Sequence, residues 1–122
     1  MSGCRGPIEG DDDLPRVQVW VTGGREPDLL ASIERGLEEE GVPWIVREAE
    51  GGAVSLAYEA SRASALKIGL VLTPDRRVVI HHEQLPADEP IFDTADTTPG
   101  LARTLGSNAA RLAKGTPLTP VE

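Results

Sequence analysis

The stretch Leu66 to Leu72 (LKIGLVL) is almost unbroken in apolar residues, with Lys67 the one charge in it. A strand of this composition is buried on both faces, so it belongs at the centre of a sheet with further layers on either side. The rest of the pattern supplies those layers. Val17, Val19 and Val21 alternate with Gln18, Trp20 and Thr22, a period-two strand. Gly23-Gly24 breaks it, and Pro27-Asp28 opens a helix whose Leu29, Leu30, Ile33 and Leu37 share one face. Gly41 stands where a helix C-terminal glycine is expected. Val42 to Arg47 reads as a second strand, with Pro43 near its start marking a sheet edge.

After the Gly51-Gly52 loop, Ala53, Leu56, Ala57 and Ala60 follow the i, i+3, i+4, i+7 spacing of a second helix. Thr73-Pro74-Asp75-Arg76 is a turn, from which Val78 to Ile80 return antiparallel to the central strand. A Pro-rich loop holding Ile91-Phe92 comes next. The last helix spans Pro99 to Lys114, with Leu101, Leu105, Ala109 and Leu112 along one side, and Gly115 and Pro117 end it. This order predicts a small three-layer α/β domain, its mixed sheet mostly parallel with one antiparallel strand. The domain occupies residues 16–117. Residues 1–15, with Asp11-Asp12-Asp13 and no apolar periodicity, read as a disordered leader, and 118–122 as a C-terminal tail.

A chain of 122 residues fits one domain, and with only Trp20, Trp44, Tyr58 and Phe92 as aromatics its core must be aliphatic. Twelve basic against twenty acidic residues give a net charge of −8, which repels nucleic acid and anionic membrane. Cys4 is the single cysteine and can form neither an internal disulfide nor a structural zinc site. No apolar run reaches the length of a membrane span and the N-terminus has no signal-peptide hydrophobic region, so a cytoplasmic location is expected.

Catalytic signatures are missing. Gly23-Gly24 lies where open α/β sheets bind phosphate, yet neither a G-x-x-x-x-G-K-[ST] loop nor a G-x-G-x-x-G fingerprint is there, and the pair reads as a plain turn. His81 and His82 are adjacent on a strand and point to opposite faces, so they cannot share a metal; one half-buried and one exposed histidine is the expected outcome. No nucleophile elbow accompanies any serine. No catalytic or cofactor-binding residue is assigned.

Glu38-Glu39-Glu40 is more informative, because negative charge is unfavourable at a helix C-terminus. At about 100° per residue Glu39 falls in a stripe with Ser32 and Gly36, while Glu38 lies on the far side. A mid-helix glycine costs about 1 kcal/mol relative to alanine. Gly36 is understandable if another chain approaches that face closely. Two readings stand side by side, a partner surface of Ser32, Gly36 and Glu39 and a plain solvated face.

Leu29–Trp44 (LLASIERGLEEEGVPW), Ala60–Gly69 (ASRASALKIG), Leu85–Phe92 (LPADEPIF) and Gly106–Pro117 (GSNAARLAKGTP) together resemble the small subunit of the reactivating factor of adenosylcobalamin-dependent glycerol and diol dehydratases. The resemblance runs in order over about residues 17–117; the leader is outside it. It implies the fold of the dehydratase medium subunit (anticodon-binding-domain-like) and no catalysis by this chain. It also implies a two-plus-two heterotetramer with a large ATPase subunit, which alone binds ATP or ADP. The small subunit would exchange transiently with the dehydratase medium subunit so that damaged cobalamin is released. By register, Glu39 would complete a Mg²⁺ site located mainly in the large subunit. The resemblance leaves room for association with a bacterial microcompartment. For Asn108 and Arg111 a structural role and a partner contact both stay open. The competing readings are a medium-subunit-like component of a dehydratase and a stand-alone α/β ligand-binding domain.

Removing residues 1–14 is expected to leave cooperative unfolding intact, as a denaturant titration would show; loss of cooperativity would make the leader part of the fold.

Overall fold

A computed structural model of the chain describes residues 15–23 and 27–121. The elements run β1 (Val17–Thr22), α1 (Pro27–Glu39), β2 (Trp44–Ala49), α2 (Ala53–Ala63), β3 (Ile68–Leu72), β4 (Val78–His82), β5 (Phe92–Thr94) and α3 (Pro99–Lys114). The sheet order is β2-β1-β3-β4-β5. β3 is central and buried along its whole length, as its composition requires. β1 pairs in parallel with β2 and β3, while β4 is antiparallel to both β3 and β5. Among the described strands β4 therefore runs alone against the others.

Alternating strand residues feed two cores. On one face Val19, Leu70 and Ile80 meet Ile33 and Leu37 of α1 and Leu105 of α3. On the other, Val71 and Val79 meet Leu56 and Ala57 of α2, with Trp20 at the margin. At Gly69 a Cβ would come 2.4 Å from the Ser61 nitrogen, so α2 rests directly on the backbone of β3.

Four details depart from the sequence pattern, each for a local reason. β2 begins at Trp44, because Val42 N–H bonds back to Leu37 O (3.4 Å) in the closing turn of α1 and Pro43 has no N–H to give. β3 begins at Ile68, because Lys67 adopts a left-handed φ of 68° and bonds to Ser64 O (2.9 Å). Phe92–Thr94 forms an edge strand inside the stretch read as a loop. Its pairing with Val78–Ile80 is held by Arg77, whose guanidinium forks the Asp93 carboxylate at 2.8 and 2.7 Å. The C-terminal segment is anchored, since the Asn108 amide bonds both backbone groups of Thr119 (2.9 and 2.7 Å). The leader reading falls on residues 1–14, outside the described residues.

The α1–α3 contact is the tightest part of the helical layer. A Cβ on Gly36 would lie 2.1 Å from Arg103 O, and one on Gly106 would lie 2.2 Å from Ile33 O. Each helix thus uses a glycine to let the other's backbone in. Gly36→Ala gains about 1 kcal/mol of helix propensity but drives a methyl group into a backbone carbonyl. Overpacking against a less yielding neighbour than a side chain is expected to dominate, for a net loss of about 2 kcal/mol or more by denaturant unfolding. Gly100→Ala, with nothing within 4 Å, is the control and should be neutral or stabilising.

Candidate functional site

The three glutamates at the end of α1 have different fates. Glu38 points to solvent. Glu39 lies in the last turn, where it receives Nε–H of Arg103 at 3.1 Å on one oxygen and the second guanidinium arm on the other. This pair is open to water, with side-chain exposures of 41% for Glu39 and 52% for Arg103. Glu40, just past the helix, is only 16% exposed and is enclosed by α3. Its carboxylate accepts from Ser107 Oγ (2.8 Å), Arg111 Nε (3.0 Å) and Lys114 Nζ (3.0 Å). Lys114 also donates to the Glu40 carbonyl at 3.0 Å.

Charge at this junction is therefore matched between helices. The carboxylates that oppose the dipole of α1 meet cations from α3, and Arg111 and Lys114 in the last turn of α3 also suit that helix's own dipole. The hydrogen bonds from Ser107, Lys114 and Arg111, in that order, hold the Glu40 carboxyl down from 4.5 to about 2. The helical stripe Arg103, Ser107, Arg111, Lys114 in the sequence carries this pattern, but nothing local assigns Glu40 as its target.

Ser32, Gly36 and Glu39 do share a flank of α1, and α3 covers that flank at Gly36. Gly36 is buried, and the backbone that comes close to it belongs to the same chain, which removes the need for a second chain at that position. Ser32 is half-buried and Glu39 reaches the surface. Asn108 is fully buried and Arg111 is spent on Glu40 and on Pro117 O (3.2 Å), so both hold the fold together. Beside Glu39 and Arg103 lies a shallow hollow of about 360 Å³, also lined by Gly100, Thr104, Ser107 and Thr119.

The other sequence candidates behave as structural parts. His81 is fully buried rather than half-exposed: it packs edge-on against Tyr58 (5.2 Å between centroids). Its Nδ1 lies 2.9 Å from His82 N and 3.0 Å from His82 O, and its Nε2 faces Ala87 O at 3.1 Å, so both ring nitrogens are engaged by backbone. His82 faces the other way and accepts from Gln84 N–H (3.0 Å). Among the described residues no three His, Cys, Asp or Glu side chains cluster to hold a metal. The hollow at the end of β1 and β2, about 310 Å³, is bordered among the described residues by Gly23, Glu48 and Glu50. No helix among the described residues is long and apolar enough to cross a membrane.

A family model described as "Dehydratase medium subunit" matches residues 14–119. The small subunit of the diol dehydratase-reactivating factor of Klebsiella michiganensis is 34% identical over 113 residues, covering 90% of this chain and 88% of that protein. A solved structure described as glycerol dehydratase reactivase superposes with a TM-score of 0.81 at 34% identity, over 87% of this chain and 97% of its own. A second, described as diol dehydratase-reactivating factor complexed with ADP and Mg²⁺, gives 0.80 at 32% identity, over 87% and 98%.

Glu40 makes the junction pH-dependent. A carboxyl whose pKa falls on folding contributes stability that is fully present above about pH 4.5 and is lost as pH drops through about 2. The stability gap between wild type and Glu40→Gln, from denaturant unfolding between about pH 6 and 2, should therefore be largest at the upper end and shrink on acidification. A gap independent of pH would contradict the assignment.

Proposed function

Because the chain belongs to the dehydratase medium-subunit family, with reactivating-factor small subunits among its relatives, we propose that it is the non-catalytic small subunit of a glycerol or diol dehydratase reactivase. The observation that carries this is the near-complete match to a reactivase chain, 97% of which is covered at a TM-score of 0.81. In this reading the chain docks on a large ATPase subunit in a two-plus-two heterotetramer, and only the large subunit binds ATP or ADP. The setting in this reading is the cytoplasm.

The family model's description also fits a component of the dehydratase itself. Coverage of 88% of a small-subunit relative by 90% of this chain favours the reactivase. A shared fold with the medium subunit gives the exchange a physical basis, since two chains of one shape compete for one docking place. Such competition would loosen the dehydratase and let damaged cobalamin leave.

Glu39 suits a shared Mg²⁺ site as one ligand of several. It offers a hard carboxylate at the surface, held at the end of a helix, and among the described residues its two acidic neighbours do not close a site around it: Glu40 is consumed by α3 and Glu38 points away. Bound Mg²⁺ would draw the two subunits together through oxygen ligands from both. Ser32, half-buried lower on the same flank, would lie at the margin of that contact.

Co-expression with a reactivase large subunit from the same organism, followed by size-exclusion chromatography, tests the assignment. Co-elution is expected, and a chain that stays apart from that partner would overturn it. In the same complex Glu39→Ala should weaken association in Mg²⁺ by about thirtyfold or more, while Glu38→Ala leaves it nearly unchanged. Equal affinities for wild type and Glu39→Ala would remove Glu39 from the site.

A further inference from the structure

Resting on the reading of Glu39 as a shared metal ligand, we propose that Arg103 is a placeholder cation, one that holds the Glu39 carboxylate until a divalent ion displaces it. The guanidinium engages both carboxylate oxygens through Nε and a terminal nitrogen, the positions a divalent cation would use. A metal ion bound at either oxygen on the side the fork occupies would break at least one of its two arms. A metal ion next to an undisplaced Arg103 would also face a like charge at close range.

The geometry makes Arg103 easy to displace. Its side chain is 52% exposed, so the pair is screened by water and its loss costs little. The hollow bounded by Gly100, Thr104 and Thr119 gives the released side chain room to swing. The part of Arg103 that matters to the fold is its backbone carbonyl, seated under Gly36, which side-chain substitution leaves in place. Glu40 provides the contrast: three donors and 16% exposure commit it to the fold, whereas Glu39 has one partner among the described residues that can leave. Arg103 is thus a positioning residue. It keeps Glu39 extended along the α3 side of α1 and sets a threshold for Mg²⁺-dependent docking.

The test is a Mg²⁺ titration of association between the full chain and its large subunit, read by isothermal calorimetry or analytical ultracentrifugation. Arg103→Met should lower the Mg²⁺ concentration for half-maximal association by roughly two- to fivefold, the range expected for losing an exposed ion pair. Arg103→Lys, which keeps the charge and loses the fork, should fall between Met and wild type. Thermal unfolding of each variant confirms that the fold is retained, a readout that a merely structural role would move while leaving the Mg²⁺ midpoint fixed. An unchanged or raised midpoint for Arg103→Met overturns the proposal. Glu39→Ala in the same titration separates the two readings. If it abolishes the Mg²⁺ dependence while Arg103→Met shifts nothing, only the placeholder fails; if it behaves as wild type, the metal role of Glu39 fails with it.

Discussion

The mutual approach of α1 and α3 through Gly36 and Gly106 fixes what happens on that side of the molecule. With each glycine admitting the other helix's backbone, side chains at the end of α1 have no choice of neighbour. Glu40 is delivered into Ser107, Arg111 and Lys114, and Glu39 to Arg103. Beneath them Ile33, Leu37 and Leu105 pack on the sheet, so the crossing is braced from below by the larger core. A bulkier residue at either glycine would separate the helices and dissolve the ion pairs together with the packing.

This arrangement explains why an acidic helix end is retained. Three successive glutamates at a C-terminus oppose the dipole and one another. One of them gains several charged hydrogen bonds within the chain, and one is held at the surface by a single displaceable cation. The junction therefore combines a rigid base with an accessible carboxylate. That combination suits a subunit whose work is docking, because a preformed contact spares the ordering cost that a mobile one would incur on association.

Much of this was legible from residue patterns, and the limits have physical causes. The apolar run ending at Leu72, the alternating valines of β1 and the i, i+3, i+4 spacing of α1 report burial directly, so the layers and strand directions follow from them. β5 was not legible: it has three residues, two of them polar, and is defined by pairing with β4 and by the Arg77–Asp93 contact, neither of which leaves a period. Gly36 announced a close approach without saying what approaches, since a helical wheel shows the stripe and not its cover. Glu40 and its partners stand 67 to 74 positions apart, a separation that only the folded topology closes. The stripe Arg103, Ser107, Arg111, Lys114 was the available clue.

The claim that Glu39 reaches a metal held by another chain can be read from the ion itself. The small subunit, labelled with ¹³C at glutamate carboxyl carbons, would be assembled with unlabelled large subunit and Mn²⁺ in place of Mg²⁺. Electron–nuclear double resonance then reports any labelled carboxyl bonded to the metal. A ¹³C coupling in the wild-type complex that vanishes in Glu39→Ala is the predicted result. A Mn²⁺ ion bound in the assembled complex with no ¹³C coupling would contradict it.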